Sequence, residues 1–274
     1  MPSPADRQYE RLPIDVGEIA HRYGPQVHIL SRPHLMTILA RLASAETPAP
    51  MALHLVRSLY RSLLEYAVDR ELPRTLQSVP SRMAVHHGEG VYRGELLDPA
   101  TRVITVGVAR AGLVPSQICF ETLLDCLDRR HVRQDHVFIS RKTDAGGRVI
   151  GSDLSGSKIG GIVKNTVVFI PDPMGATASS MCAVVDLYKK HHGGPPAKIL
   201  ALHAIVTPEY LRRMTADHPE VHVYTVRLDR GLSPPDVLST PPGTHWDREC
   251  GLNDHQYIVP GAGGIGEVLN NAEI

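Results

Sequence analysis

Between Val103 and Leu228 the chain repeats one pattern: a short run rich in Val and Ile, then a segment of helical character, then another such run. The runs read VITVGV, HVFIS, TVVFIPD, KILALHAIV and VHVYTVRL, and the intervening segments include GLVPSQICFETLLDCLDRR, SSMCAVVDLYKKHH and PEYLRRMTADH. A strand with one wet face alternates apolar and polar residues, whereas these runs are apolar on both faces. Helices must therefore cover the sheet above and below. The pattern predicts an α/β fold: a doubly wound, mostly parallel sheet flanked by helices. In such sheets ligands bind outside the carboxyl ends of the strands.

The remaining segments are placed around that sheet. Residues 1–25 are polar and punctuated by proline, and are expected to form an irregular N-terminal arm lying on the surface or on a neighbouring subunit. Residues 26–274 form the domain. Two helices follow the arm; in the second, Leu53, Val56, Tyr60, Leu63 and Ala67 recur at spacings of three and four and make an apolar stripe that ends near Leu72-Pro73. A polar, partly irregular stretch containing His86-His87-Gly88 comes next. The Gly-rich excursion from Asp144 to Lys164 reads as a hairpin or lid.

Composition excludes several classes. Twenty-nine basic and twenty-nine acidic side chains cancel, so no overall charge directs the chain to nucleic acid or an anionic membrane. Cys119, Cys126, Cys182 and Cys250 form no C-x-x-C pair and are too sparse for a disulfide scaffold. No apolar run reaches the ~20 residues of a membrane span, and MPSPADRQYERLP lacks the basic start and apolar centre of a signal peptide. The expectation is a soluble cytoplasmic protein. The histidines other than His255, including the pairs 86–87 and 191–192, show no metal-ligand spacing beside acidic or Cys partners and are read as surface residues.

The stretch TVVFIPDPMGATASSM, residues 166–181, points to chemistry. A buried strand ends at Asp172 and turns through small residues into a helix near Ser179. Backbone N–H groups and the hydroxyls of Thr177, Ser179 and Ser180 can then converge on a phosphate, which Gly and Ala allow to come close. An ordinary helix-capping turn is the alternative reading of the same residues. Neither a Walker loop nor G-x-G-x-x-G is present.

DPMGATASS resembles the phosphoribosyl pyrophosphate (PRPP) loop of the uracil phosphoribosyltransferases, usually DPMLATGGS. VARAGL at 108–113 is similar to that family's LRAGL, SRKTD at 140–144 lies where it has a short Arg-containing segment, and TPEYLRRMTADHPEVHVYTVRLD resembles its APEG…HPDV…LD passage. GLNDHQYIVPGAGGIGE at 251–267 is similar to its LNDHGYIVPGLGDAGD. The resemblance runs from about His28 to Val268. It implies displacement of pyrophosphate from C1 of PRPP by a ring nitrogen of uracil, giving UMP, as in pyrimidine salvage.

The resemblance also implies roles. It carries catalytic positions onto Arg110 and Asp172 and pyrophosphate contacts onto Arg110 and Arg141. It carries 5′-phosphate and ribose contacts onto Asp172, Pro173, Met174, Gly175, Ala176, Thr177, Ala178, Ser179 and Ser180. Lys158 matches a lysine of the excursion, with plain solvation as the alternative. The base site falls on Tyr257, Ile258, Val259, Gly263, Gly264 and Ile265: backbone groups of Ile258 and residues 263–265 read the base, while Tyr257 and Val259 pack. His255 is read as a structural histidine. Mg²⁺ enters on PRPP rather than on direct protein ligands. Relatives imply a homo-oligomer, with a nucleotide effector in some cases.

The departures leave alternatives open. Ala178-Ser179 replaces two glycines, Gly264 replaces an aspartate that contacts PRPP in the family, and Val268 replaces an arginine. A different acceptor base, or a catalytically weak paralogue binding PRPP or a nucleotide as sensor or partner subunit, is compatible with the same residues.

Overall fold

The computed structural model describes residues 17–143, 149–191 and 193–271, with the backbone alone at 140–143 and 149–153. The apolar runs become strands β4 (Val103–Ala109), β5 (Val132–Thr143), β7 (Val167–Pro171), β9 (Lys198–Val206) and β10 (His222–Leu228). With β1 (Val27–Ile29) they form one parallel array in the order β1–β10–β9–β7–β4–β5. β6 (Val149–Lys158), within the Gly-rich excursion, pairs antiparallel with β5. The two-residue β8 (Met174–Gly175) pairs with the end of β9.

Successive strand residues feed opposite cores, as the unbroken apolar pattern requires. Phe169, Leu200 and Leu202 face α1 (Pro33–Leu42), α2 (Ala49–Glu71) and α3 (Leu113–Leu124). Val168, Ile170, Ile199 and Ala201 face α4 (Ser179–Lys189) and α5 (Pro208–Asp217). The sheet is thus doubly wound. Among the described residues no helix is long and apolar enough to cross a membrane, and all four cysteines are free thiols.

Several expectations need revision. The buried stripe of α2 runs through Leu55, Val56, Leu59, Tyr60, Leu63, Leu64 and Ala67; Leu53 lies off that face and is exposed. The stretch after Leu72 contains a two-stranded hairpin, β2 (Arg74–Pro80) with β3 (Val91–Leu97), whose polar sequence gave no strand signal. The described part of the N-terminal arm, residues 17–25, is largely irregular and lies on the domain, which calls for no revision. Ile19 N–H donates to Ile29 O, and the buried Tyr23 hydroxyl donates to Glu249. Not all histidines are at the surface: His28, His203 and His218 are buried. Each lies beneath elements packed on it by the fold, so spacing along the chain did not reveal its burial.

Candidate active site

The carboxyl ends of β4 and β7 open on one cavity of about 460 Å³. The turn after β4 supplies Arg110, and Gly112 closes it: a Cβ there would stand 2.8 Å from Pro171 O and 2.9 Å from Val108 O. The Ala109–Arg110 peptide bond is cis. The Arg110 guanidinium is 57 % exposed, and its Nη2 donates to Glu267 Oε1 at 3.4 Å.

The opposite wall is the small-residue loop that follows β7. Asp172, Met174, Ala176, Thr177, Ala178, Ser179 and Ser180 line the cavity. Pro173 and Gly175 do not. Pro173 is buried and its carbonyl accepts from Ala204 N–H and Ile205 N–H. At Gly175 a Cβ would stand 2.9 Å from Val206 Cγ1 and 3.1 Å from the Tyr210 ring, so its smallness serves packing on β9 and α5. Ala178 takes φ +61°, ψ 0° at the head of α4, the left-handed conformation that favours glycine, whereas Ser179 is already helical.

The loop rests on a polar network that local sequence did not announce. His203, fully buried on β9, donates from Nδ1 to Asp172 O (2.6 Å) and accepts at Nε2 from the Tyr210 hydroxyl (2.7 Å). Burial lowers its pKa to about 4, which keeps the ring neutral in this role. Thr207 caps α5 through Tyr210 N–H and donates its hydroxyl to Ala176 O. From α5 Arg213 reaches back to donate to Ser179 Oγ at 2.7 Å, placing a guanidinium beside the loop.

The third wall is the segment 256–267, which leads into α7 (Ile265–Asn270). Gln256, Tyr257, Ile258, Gly263, Gly264, Ile265, Gly266 and Glu267 line the cavity. Val259 does not: its backbone pairs with Gly251 and Gly231. Remote carboxylates hold the segment in place. Asp229 Oδ2 accepts from Gly261 N–H at 2.7 Å while its carboxylate is clamped by Arg227, which also donates to Gly261 O. Glu209 accepts from Gly251 and Leu252 N–H. Gly266 lets α7 lie against the arginine turn, since a Cβ there would meet Ala111 Cβ at 3.2 Å.

Most of the residues expected from sequence therefore converge. Lys158 is exposed at the end of β6, opposite His136, and is not among the residues lining the cavity. Arg141 pairs through its backbone with Ser152, and its side chain lies outside the described residues. His255 is exposed, its N–H donating to Asn253 Oδ1. Asp172 and Glu267 bring carboxylates to the cavity and Arg110 a guanidinium. Glu267, Arg213, His203, Asp229, Arg227 and Glu209 were not singled out from sequence. Only Glu209, directly after Thr207-Pro208 at a helix start, stands in a recognisable local setting.

A parallel sheet whose carboxyl edge carries a small-residue loop, an arginine turn and a backbone-rich third wall around one cavity defines the class of architecture, an α/β protein with its candidate site at the strand ends. The family model described as "UPRTase: Uracil phosphoribosyltransferase" matches residues 29–248, and the chain belongs to that family. It is a transferase of the PRPP-dependent class. The match stops before segment 256–267. The uracil phosphoribosyltransferase of Roseiflexus sp. is 28 % identical over 249 residues, 89 % of this chain and 97 % of that protein. That of Acinetobacter baylyi is 34 % identical over 107 residues, 39 % of this chain and only 40 % of that protein. Among solved structures, the AQ2163 protein from Aquifex aeolicus aligns with a TM-score of 0.68 at 22 % identity, over 90 % of this chain and 99 % of that one, a likeness of fold.

Proposed function

We propose that the chain transfers the phosphoribosyl group of PRPP to uracil, giving UMP and pyrophosphate. The observation that carries this reading is the meeting of three elements on one cavity: the loop of 172–180, the turn of Arg110, and the segment 256–267. The loop takes the 5′-phosphate through backbone N–H groups and the hydroxyls of Thr177, Ser179 and Ser180, with Arg213 held beside it. Asp172 faces the ribose hydroxyls. Uracil offers two carbonyls and two N–H groups, which the backbone of Ile258 and of residues 263–265 reads without ionisable side chains.

In the reaction the bond from C1 to uracil nitrogen forms as the bond from C1 to the pyrophosphate oxygen breaks. The electron pair of the broken bond stays on pyrophosphate, and the nitrogen's proton leaves to solvent. Negative charge grows on the leaving group, where the Arg110 guanidinium can meet it as a planar fork. To do so Arg110 exchanges Glu267 for diphosphate, and giving up a long, exposed ion pair costs little. The carboxylates of Asp172 and Glu267 are hard oxygen donors suited to face Mg²⁺ arriving with PRPP. When bound, that ion neutralises diphosphate charge.

Incubation with PRPP, Mg²⁺ and a panel of nucleobases, read as pyrophosphate release and UMP formation, tests the reading. Turnover with a base other than uracil replaces the acceptor; no turnover with any base leaves the weak-paralogue reading. Arg110→Ala should lower kcat/KM for PRPP about ten- to a hundredfold, the worth of a charge-assisted hydrogen bond, and Arg110→Lys much less. Equal small losses would place Arg110 outside the chemistry. For assembly we read Leu76, Val79, Met83 and Val85, exposed on and beside the β2–β3 hairpin, as a contact between copies of the chain. A monomer by light scattering would sink that part.

A further inference from the structure

A second constellation lies away from the cavity, toward the amino ends of the strands. His28 on β1, Glu71 at the last position of α2 and His222 at the first position of β10 each offer one ligand atom, and these three atoms lie within 4.8 Å of one another. We propose that these residues form a site for a divalent transition ion of the Zn²⁺ class, a structural ion that fastens β1, α2 and β10 together.

Two observations beyond proximity point to a ligand. The first is unsatisfied nitrogen. His28 is 2 % exposed, yet its Nε2 has no hydrogen-bond partner. His222 Nδ1 lies 3.0 Å from Glu71 Oε1, so the second imidazole already stands against the carboxylate of the cluster. A buried imidazole nitrogen without a partner, as at His28, is costly unless something binds it.

The second is the arrangement behind His28. Its Nδ1 faces Glu18 Oε1 at 3.0 Å, and Glu18 is itself held by the Tyr66 hydroxyl at 2.8 Å and by Arg70 at 3.5 Å. A carboxylate on Nδ1–H fixes the tautomer in which Nε2 carries the lone pair, the arrangement that usually stands behind a metal-bound histidine. The His28 ring is clamped by stacking on Tyr224, with centroids 4.3 Å apart.

Two imidazoles and one carboxylate suit Zn²⁺ rather than Mg²⁺ or Ca²⁺, which take oxygen donors. In a tetrahedral site at Zn²⁺ ligand distances the donors stand roughly 3.3 Å apart, so the cluster must contract. Its outer members can move. The His222 side chain is 31 % exposed, and a hollow of about 330 Å³ lined by His222 and Lys198 gives an ion a path in from solvent. Lys198, whose Nζ donates to Glu71 Oε2 at 2.6 Å, is the cation a metal would displace; its side chain is 34 % exposed on a flexible stem.

The test uses the full-length protein, stripped with a chelator and titrated with Zn²⁺ and with Co²⁺, whose visible absorption reports four-coordinate ligation, with Mg²⁺ as control. The expected result is one saturable equivalent of Zn²⁺ or Co²⁺ per chain, a higher melting temperature with Zn²⁺, and neither effect with Mg²⁺. His222→Ala should weaken binding tenfold or more. Lys198→Ala should tighten it, because the competing cation is gone. Absence of saturable binding to the wild type overturns the proposal, as does equal affinity in folded His222→Ala. Should His222→Ala fail to fold, Lys198→Ala decides: unchanged or weaker affinity counts against the site.

Discussion

The two walls of the cavity proposed for phosphate and for the base, here the phosphate wall and the base wall, are built by opposite means. Residues 172–180 form a short local loop whose small side chains and hydroxyls lie next to one another in sequence. Segment 256–267 is shaped from outside, by Arg227 on β10 and Asp229 just after it, while Glu209 on α5 holds the neighbouring residues 251–252. Each wall also carries a non-glycine residue in left-handed backbone where the family pattern has glycine: Ala178 at φ +61° and Gln256 at φ +65°. A local loop tolerates change one residue at a time, whereas an externally clamped segment depends on a few buried pairs.

The largest expected effect follows from that dependence. Asp229 is 2 % exposed and is the shared partner of Arg227 and Gly261 N–H. Asp229→Ala leaves a largely buried guanidinium uncompensated and frees the turn, a loss of about 3 to 5 kcal/mol. Chemical denaturation should register it. A loss below about 1 kcal/mol would mean that the base wall holds itself.

The phosphate wall has its own distant dependence, visible in acid. His203 has a folded pKa of about 4 against 6.5 unfolded, so between those values the unfolded chain binds more protons. Stability is fully present above pH 6.5 and falls as pH drops toward 4, by on the order of 3 kcal/mol. His203→Gln should flatten this part of the stability–pH curve. An unchanged slope would assign acid sensitivity to other groups.

Gly264→Asp sharpens the comparison from the base side. The position has φ −80°, ψ 71°, which a side chain can adopt, so the replacement carries no left-handed strain. A carboxylate there would join Glu267 and Asp172 around the ribose and Mg²⁺. One charge-assisted contact is worth about 1.5 to 3 kcal/mol, so kcat/KM for PRPP should rise about ten- to a hundredfold. If the variant folds, directs its carboxylate into the cavity and gives no gain, the missing acid does not limit this protein, and a different acceptor becomes the better reading.

What sequence conveyed follows the same divide. The two-sided burial of VVFIP and ILALHAIV and the run DPMGATASS are local signals, and the sheet and the loop were legible from them. The roles of His203, Asp229 and Arg227 were not, because each acts on a segment brought close only by the fold. Gly175 shows the limit of composition: a glycine in a phosphate loop looks like room for phosphate, yet its missing Cβ makes room for Val206 and Tyr210. The β2–β3 hairpin stayed hidden for another reason. Its strands RTLQSVP and VYRGELL lack the burial that marks a strand in sequence.

The smallest expected effect is at Ala178, where the two walls can be compared most directly. Left-handed backbone costs an L-residue roughly 1 to 2 kcal/mol. Ala178→Gly removes that cost, but it also frees the unfolded chain by about 0.4 to 1 kcal/mol and removes a methyl group that is 4 % exposed. These contributions nearly cancel, so denaturation of Ala178→Gly should lie within about 1 kcal/mol of the wild type. Ala178→Val separates the backbone requirement from the packing. A β-branched side chain at positive φ is a severe misfit, and the substitution should cost more than about 2 kcal/mol while weakening PRPP binding, since the loop must shift to relieve it. At Gln256, exposed on the other wall, the matching change to glycine should leave stability nearly unmoved and alter only the base wall's response to uracil. If Ala178→Val proves as harmless as Ala178→Gly, the loop does not need left-handed backbone at this position, and the strain ascribed to the lost glycine has no part in how this protein differs from its relatives.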